Sequence, residues 1–314
     1  MAVGPGPVAA SPIAGLTRRA MGGSAAGLLA MGPGLATAMG REDVIPVAPV
    51  AQLRGFMRLF AGLHGSSVFT NQGIIYGRAP DELPRPLVGY VTVLQIRPQE
   101  VSPDVFRTAQ IEALAFLDLA TGEPLTTWRN PYTEEVVIPV GYASPENIYY
   151  FDVTGSYTRA LPLLRTGLFH LDWHTSDTDI WVTETRRNAF ASGITEEEFP
   201  RAYAGPVRHS VDILTYRARI ADFVREPRLT VPSQLAMLSD TPWPLWMMMG
   251  RRPGQVLWHG FGAKYARLSD VPPRARRAIE ASYPGFLEDP WAFDVGSWGT
   301  AAQLRRLKDA GQIR

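Results

Sequence analysis

The chain has 314 residues, 46% of them hydrophobic and 19% charged, with a formal net charge of +1 and no cysteine. So small a net charge excludes the basic footprint of a nucleic-acid binder, and the missing cysteines exclude disulfides, thiolate catalysis and cysteine-ligated metals. A chain with 29 glycines, 27 prolines and 10% aromatics suits a turn-rich β protein better than a helical bundle.

Residues 1–38 have the pattern of an export signal. Arg18 and Arg19 follow Thr17, a weakly apolar Gly/Ala-rich run comes next, and Ala36-Thr37-Ala38 offers a small-x-small cleavage site. The arginine pair resembles a twin-arginine signal, although Ala20 and Met21 depart from its strongest form. Gly22, Gly23, Gly32, Pro33 and Gly34 interrupt the apolar run too often for a stable membrane-spanning helix. The expectation is a precursor carried by the twin-arginine export machinery and cleaved after about Ala38. It would yield a near-neutral periplasmic protein with no integral membrane span. Residues 39–49 then form an extended linker, and residues 50–314 a single β-rich domain with C-terminal helices.

Val50, Leu53, Phe56, Met57, Phe60 and Leu63 recur at steps of three and four, predicting an amphipathic helix that ends by Gly65. From Val68 the period changes. Strands are expected over Leu87–Pro98, Asn147–Thr158, Gly167–Arg187, Val207–Val224 and Gly254–Leu268. Three more are expected between Ala109 and Val140, separated by turns at Thr121-Gly122 and Asn130-Pro131. Short helices are expected over Glu196–Tyr203, Pro272–Ser282 and Gln303–Gln312. Roughly eight to ten strands at hairpin spacing imply a mainly β fold, an antiparallel β-barrel of calycin-like type with a few peripheral helices. Leu238–Gly254, with two Trp, three Met and three Pro, is either core filling or the lining of an apolar pocket.

Three segments together carry a family resemblance: FLDLATGEPLTTWRNPYTEEVVIPV, TPWPLWMMMGRRPGQVLWHGFGAKY and VPPRARRAIEASYPGFLEDP. They resemble the bacterial and fungal family known as domain of unknown function 1838. The resemblance is most specific in the block Asp118–Thr133, and Glu134 stands where the family pattern has a glycine after the threonine. The resemblance implies exported bacterial members but no established activity, so function must come from the residues.

The stretch GLFHLDWHTSDTDIWVTETRR holds H-x-D-x-H. With Ser176–Asp179 as the turn, His174 faces Trp181, Asp172 faces Thr183 and His170 faces Thr185. One face then carries His170, Asp172 and His174, and the other carries Leu171, Trp173, Ile180 and Val182. The polar face suits three roles. It is a solvated outer surface, or a wet cavity where His170 and His174 act as base and acid with Asp172 orienting one of them, or part of a metal site. Alternate residues on a strand lie about 6.6 Å apart, so a metal would draw on His170 and His174 together with His209 or His259. His209 and His259 taken singly suit structural roles. Trp128, Asn130, Tyr150, Trp181, Thr183, His209 and His259 are candidate ligand contacts, although Trp128–Pro131 also suits a turn with its Trp in the core.

Phosphate-cradling and dinucleotide glycine loops, a G-x-S-x-G elbow and H-E-x-x-H are all missing. The expected function is an exported enzyme acting on a small hydrophobic, aromatic or terpenoid-like molecule by cofactor-independent acid/base chemistry, as a lyase or isomerase. The alternatives are a non-catalytic periplasmic carrier of such a ligand and a His/Asp metal-dependent enzyme.

Overall fold

A computed structural model describes residues 44–158, 165–166, 170–225, 230–294, 296 and 298–313. The expected export segment 1–38, and the linker up to residue 43, lie outside the described residues. The described residues all belong to one compact unit, Met39–Arg314.

The chain opens the fold with helix α1 (Pro49–Phe60), then the meander β1 (Ser67–Arg78), β2 (Arg85–Ser102) and β3 (Val105–Leu117). A two-residue hairpin follows, β4 (Trp128–Arg129) with β5 (Val136–Val137), set apart from the main sheet. Next come β6 (Tyr142–Ala143), β7 (Asn147–Asp152), β8 (Gly155–Thr158) and β9 (Arg165–Thr166). The second half holds β10 (His170–Thr175), β11 (Asp179–Ala191), β12 (Val207–Arg219), β13 (Gln234–Thr241) and β14 (Gln255–Tyr265). A short helix α2 (Ile220–Phe223) follows β12, and α3 (Pro273–Ser282) and α4 (Thr300–Asp309) follow β14.

The main sheet runs β10-β11-β12-β13-β14-β1-β2-β3-β7-β8-β9, with β6 also on β3, and its pairings are antiparallel. The fold is mainly β, and the sheet curls into a half-barrel. Among the described residues its end strands β10 and β9 are not paired, so closure is partial. The hairpin register expected from the SDTD turn holds, with His174 opposite Trp181, Asp172 opposite Thr183 and His170 opposite Thr185.

The curl has a local cause where β1 meets β14. Gly73 pairs with Gly260, and Gly262 pairs with Asn71. A Cβ at Gly73 would collide with the His259 carbonyl, at Gly262 with the Thr70 carbonyl, and at Gly260 with the Tyr90 hydroxyl. Glycine in a strand permits this close approach and the bend that goes with it.

Two plugs fill the concave face. At one end α1 inserts Phe56 and Phe60, whose rings lie 5.7 Å from Tyr216 and 5.6 Å from Phe151. The last carbonyls of α1 find donors on the sheet side. Lys264 Nζ donates to Arg58 O (2.6 Å) and Leu59 O (2.9 Å), and Ser233 donates to Leu59 O (2.7 Å). Burial holds the Lys264 ammonium well below its usual range, so its contribution is hydrogen bonding as much as charge. At the other end sits Trp243–Met249, which contains a 3₁₀ turn over Leu245–Met247. There Trp246 packs 4.9 Å from Phe116 and 5.4 Å from Trp128. On the convex side, Ala275, Ala278 and Ile279 of α3 cover Val91, Val93, Ile111 and Ala113.

One expectation changes. Glu196–Tyr203 is a run of turns rather than a helix. Thr195 and Glu198 do form a reciprocal capping pair, Thr195 N to Glu198 Oε2 (3.0 Å) and Glu198 N to Thr195 Oγ1 (3.2 Å). Pro200 then stops the helix, because it lacks an N–H and its ring clashes with the preceding turn. Between Ala109 and Val140 the three expected strands are present as β3, β4 and β5, although β4 and β5 are two residues each and stand apart from the main sheet. Asp118 there accepts bonds from Ala120 N, Thr121 N and Thr121 Oγ1, closing a turn of the Asx kind before Gly122 at φ 72°. Among the described residues no helix is long and apolar enough to cross a membrane.

Candidate functional site

The two plugs leave a cavity of about 490 Å³ between them on the concave face, within the range of small-molecule sites. Strand alternation decides which side chains enter it. From β3 come Gln110, Glu112, Leu114 and Phe116; from β12, Arg208, Asp212, Leu214 and Tyr216; from β11, Arg186 and Phe190. Tyr142, Tyr149, Trp246 and Trp258 complete much of the wall. The lining is thus an aromatic and aliphatic surface crossed by a belt of ionisable groups.

Glu112 is the centre of that belt. Its Oε2 accepts a 2.6 Å bond from the Tyr142 hydroxyl. Burial raises its pKa; the hydrogen bonds from Tyr142 and Thr92 oppose this, and the charge of Asp212 adds to it. A carboxyl in this setting favours its neutral, proton-carrying form. Asp212 stands on the other half of the sheet. Its Oδ2 accepts from Asn188 Nδ2 (2.6 Å) and its Oδ1 from the Ser239 hydroxyl. The tyrosines around the pair stay protonated, with Tyr142, Tyr149 and Tyr216 all pushed upward chiefly by burial.

The cavity holds two arginines of different kinds. Arg186 is clasped by Glu184 through two bonds, Nε to Oε1 and Nη2 to Oε2 (2.8 Å for the second). Burial works against its charge, but Glu184 outweighs burial and keeps it firmly cationic. Glu184 itself is shifted upward by burial. Arg208 has no such partner. Its Nη2 donates to the carbonyls of Trp243 (2.8 Å) and Pro242 (3.3 Å), and burial lowers its pKa to about 10.

The sequence-derived site residues lie elsewhere. His174 Nε2 lies 2.9 Å from Asp172 Oδ2 on a face where the His174 and Asp172 side chains are 48% and 56% exposed. Neither lines the cavity. The reason is the opposite face of the hairpin: Trp173, Ile180 and Val182 bury in the core with α1, and Trp173 packs 5.8 Å from Phe223. That burial turns the His/Asp face outward. The side chain of His170 lies outside the described residues. Trp181 stacks on His174 at 5.6 Å on the same outer face, and Thr183 shares a 2.9 Å hydroxyl bond with Thr215. His209 and His259 are exposed, so the metal alternative has no support from His174, His209 and His259. Among the described residues no three His, Asp or Glu side chains are grouped as a metal site.

The remaining expected ligand contacts are structural. Asn130 is fully buried, donates to Met247 O (2.7 Å) and accepts from Tyr132 N (2.9 Å). It therefore fixes the plug that carries Trp246, without facing the cavity. Trp128 backs Trp246 from behind. Tyr150 is buried, and its neighbour Tyr149 is the one that reaches the cavity.

Glu112 and Asp212 were missed, yet each left a signal. Glu112 is the lone acid in the apolar run AQIEALAFL, where a strand buried on both faces carries an ionisable group only at a cost. Asp212 sits among Val211, Ile213 and Leu214 in the same way.

A search of the curated proteins finds no matching relative. The match to a family model spans residues 65–301, which include every cavity-lining residue named here except Phe60 of α1. The chain belongs to the DUF1838 family, proteins of unknown function.

Proposed function

We propose that the half-barrel cavity takes up one small, largely apolar molecule and catalyses proton transfer on it, as an isomerase or lyase. Both proton-transfer groups come from the chain itself. The single observation that carries this reading is the placement of a buried, proton-holding carboxyl, Glu112, in one cavity with a second carboxyl, Asp212, whose charge it feels. Two carboxyls in unlike environments are the usual means of running acid and base steps side by side.

In this scheme Glu112 donates its proton to a carbon–carbon double bond, whose π electrons form the new C–H bond and leave a carbocation. The faces of Phe116, Tyr149 and Trp258 stabilise that cation. Asp212 removes a proton from an adjacent carbon, and the electrons of that C–H bond become the relocated double bond. Exchange with solvent then resets both carboxyls. Tyr142, bonded to Glu112, fixes its orientation. With the Arg18-Arg19 pair and the Ala36–Ala38 site, the proposal includes export and work in the periplasm.

The test is solvent-isotope incorporation. The protein is incubated in heavy water with compounds that co-purify with it and with a panel of monocyclic terpene alkenes, and products are read by mass spectrometry. Deuterium is expected in the bound molecule with wild type. Glu112→Gln should lower the rate by about 10²- to 10⁴-fold while affinity stays within a few-fold. Equal incorporation by wild type and Glu112→Gln would end the catalytic reading. Binding without any incorporation would make the protein a carrier.

A further inference from the structure

Arg208 is a cavity cation to which the proton-transfer scheme gives no work. It lines the cavity, and among the described residues its guanidinium forms no ion pair with an Asp or Glu. Arg186, on the neighbouring strand, shows how a buried arginine is normally satisfied, with both oxygens of Glu184 engaged. Arg208 instead has two carbonyl acceptors at a single nitrogen, and its Nε is buried with no hydrogen-bond partner. A cation held this way in a cavity wall is matched well by an oxyanion, since the guanidinium fork fits carboxylate and phosphate geometry.

Position adds to chemistry. Arg208 and Asp212 are both inward-facing residues of β12, four positions apart, so their backbones are separated by about 13 Å. Beside Arg208 the cavity wall includes Phe190 and Pro242. Phe190 is 38% exposed, and the guanidinium lies over its ring at 5.5 Å. This end of the cavity therefore faces outward, while the end near Phe60 and Phe69 is closed by α1. A ligand lying along β12 would keep its charged head at the outer end and its apolar body by the carboxyl pair.

Resting on the cavity reading above, we infer that the ligand is an amphipathic oxyanion: an apolar skeleton bearing a carboxylate or phosphate that Arg208 binds at the outer end of the cavity. The charge selects the ligand and sets which carbons lie between Glu112 and Asp212. Arg208 is a binding and registering residue, and the proton steps remain with the carboxyls. Burial that lowers the Arg208 pKa to about 10 is relieved when an anion docks.

Calorimetric titration with three probes that share one skeleton tests this: geranic acid, geranyl phosphate and geraniol. Wild type should bind at least one anion about ten- to a hundred-fold tighter than geraniol, the range expected for a charge-assisted bond. Which anion wins separates a carboxylate ligand from a phosphate one. Arg208→Met should remove that preference and leave geraniol affinity within about three-fold, while Arg208→Lys should retain part of it. Should the Met variant not fold, the wild-type preference and the Lys variant carry the test. Equal binding of geraniol and both anions by wild type would overturn the inference and leave the cavity reading standing. Loss of all three ligands to the same extent in a folded Arg208→Met would overturn it too, making Arg208 a brace for the Pro242 and Trp243 carbonyls. Failure of every probe to bind wild type would overturn both.

Discussion

Glu112 is kept neutral first by burial and then by the charge of Asp212, while Tyr142 and Thr92 pull the other way. Its folded pKa therefore lies above the ordinary carboxyl value of 4.5, and between those two values the folded chain binds more protons than the unfolded one. The stability this group contributes is complete below 4.5 and is lost as pH rises through the folded pKa. Glu112→Gln, which cannot titrate, removes that loss. Denaturant melts at about pH 4 and about pH 8 should show wild type falling relative to Glu112→Gln on the alkaline side. A pH-independent difference would place Glu112 in water. Glu134 is a second residue with a quantifiable strain. It adopts φ 59°, the left-handed region, where a side chain costs about 1–2 kcal/mol. Its ion pair with Arg129 is 3.5 Å long and exposed, and such pairs contribute little. Glu134→Gly should stabilise the fold by about 0.5–1 kcal/mol in thermal melts; a lower melting temperature would mean the pair outweighs the strain.

At the level of elements, the glycine seam between β1 and β14 sets the curvature that makes a cavity possible. Gly262→Ala drives a Cβ into the Thr70 carbonyl, a backbone group that moves only with its strand, and should cost about 1–3 kcal/mol. Gly260→Ala meets the Tyr90 hydroxyl and the Asn71 side chain first. These can swing, so the same measurement should give a smaller loss with the Asn71–Tyr90 bond disturbed. An equal cost at both sites would show that the seam is not what bends the sheet. Elements were legible where one physical signal dominated. The SDTD hairpin register follows from a period of two alone, and α1 and α3 from apolar steps of three and four. β13 was not legible, because its inward residues run from Leu235 and Met237 to Ser239 and Thr241 as they pass along the cavity wall, which erases the alternation. The Thr195–Glu198 cap gave a helix signal with no helix behind it, since Pro200 overrides it.

For the molecule as a whole, local patterning shows which residues share a face and leaves open which face turns inward. That choice depends on where α1 lands and which way the sheet curls, both set by residues far apart in the chain. The face of Asp172 and His174 lies on the convex side, while the carboxyls proposed to transfer protons stand on strands whose sequence neighbours look like plain core. Glu112 belongs to the first block of strands and Asp212 to the second, and in the described sheet the two blocks join through β14 against β1, where Gly73 meets Gly260. Such a pairing closes a very long loop, an entropic cost met before the contacts return anything. A chain synthesised only as far as β13 already contains both carboxyls, and α1 packs against both blocks at Phe151 and Tyr216, but the sheet that carries the two acids is not yet continuous. The cavity wall is therefore closed by β14, a strand that carries neither acid.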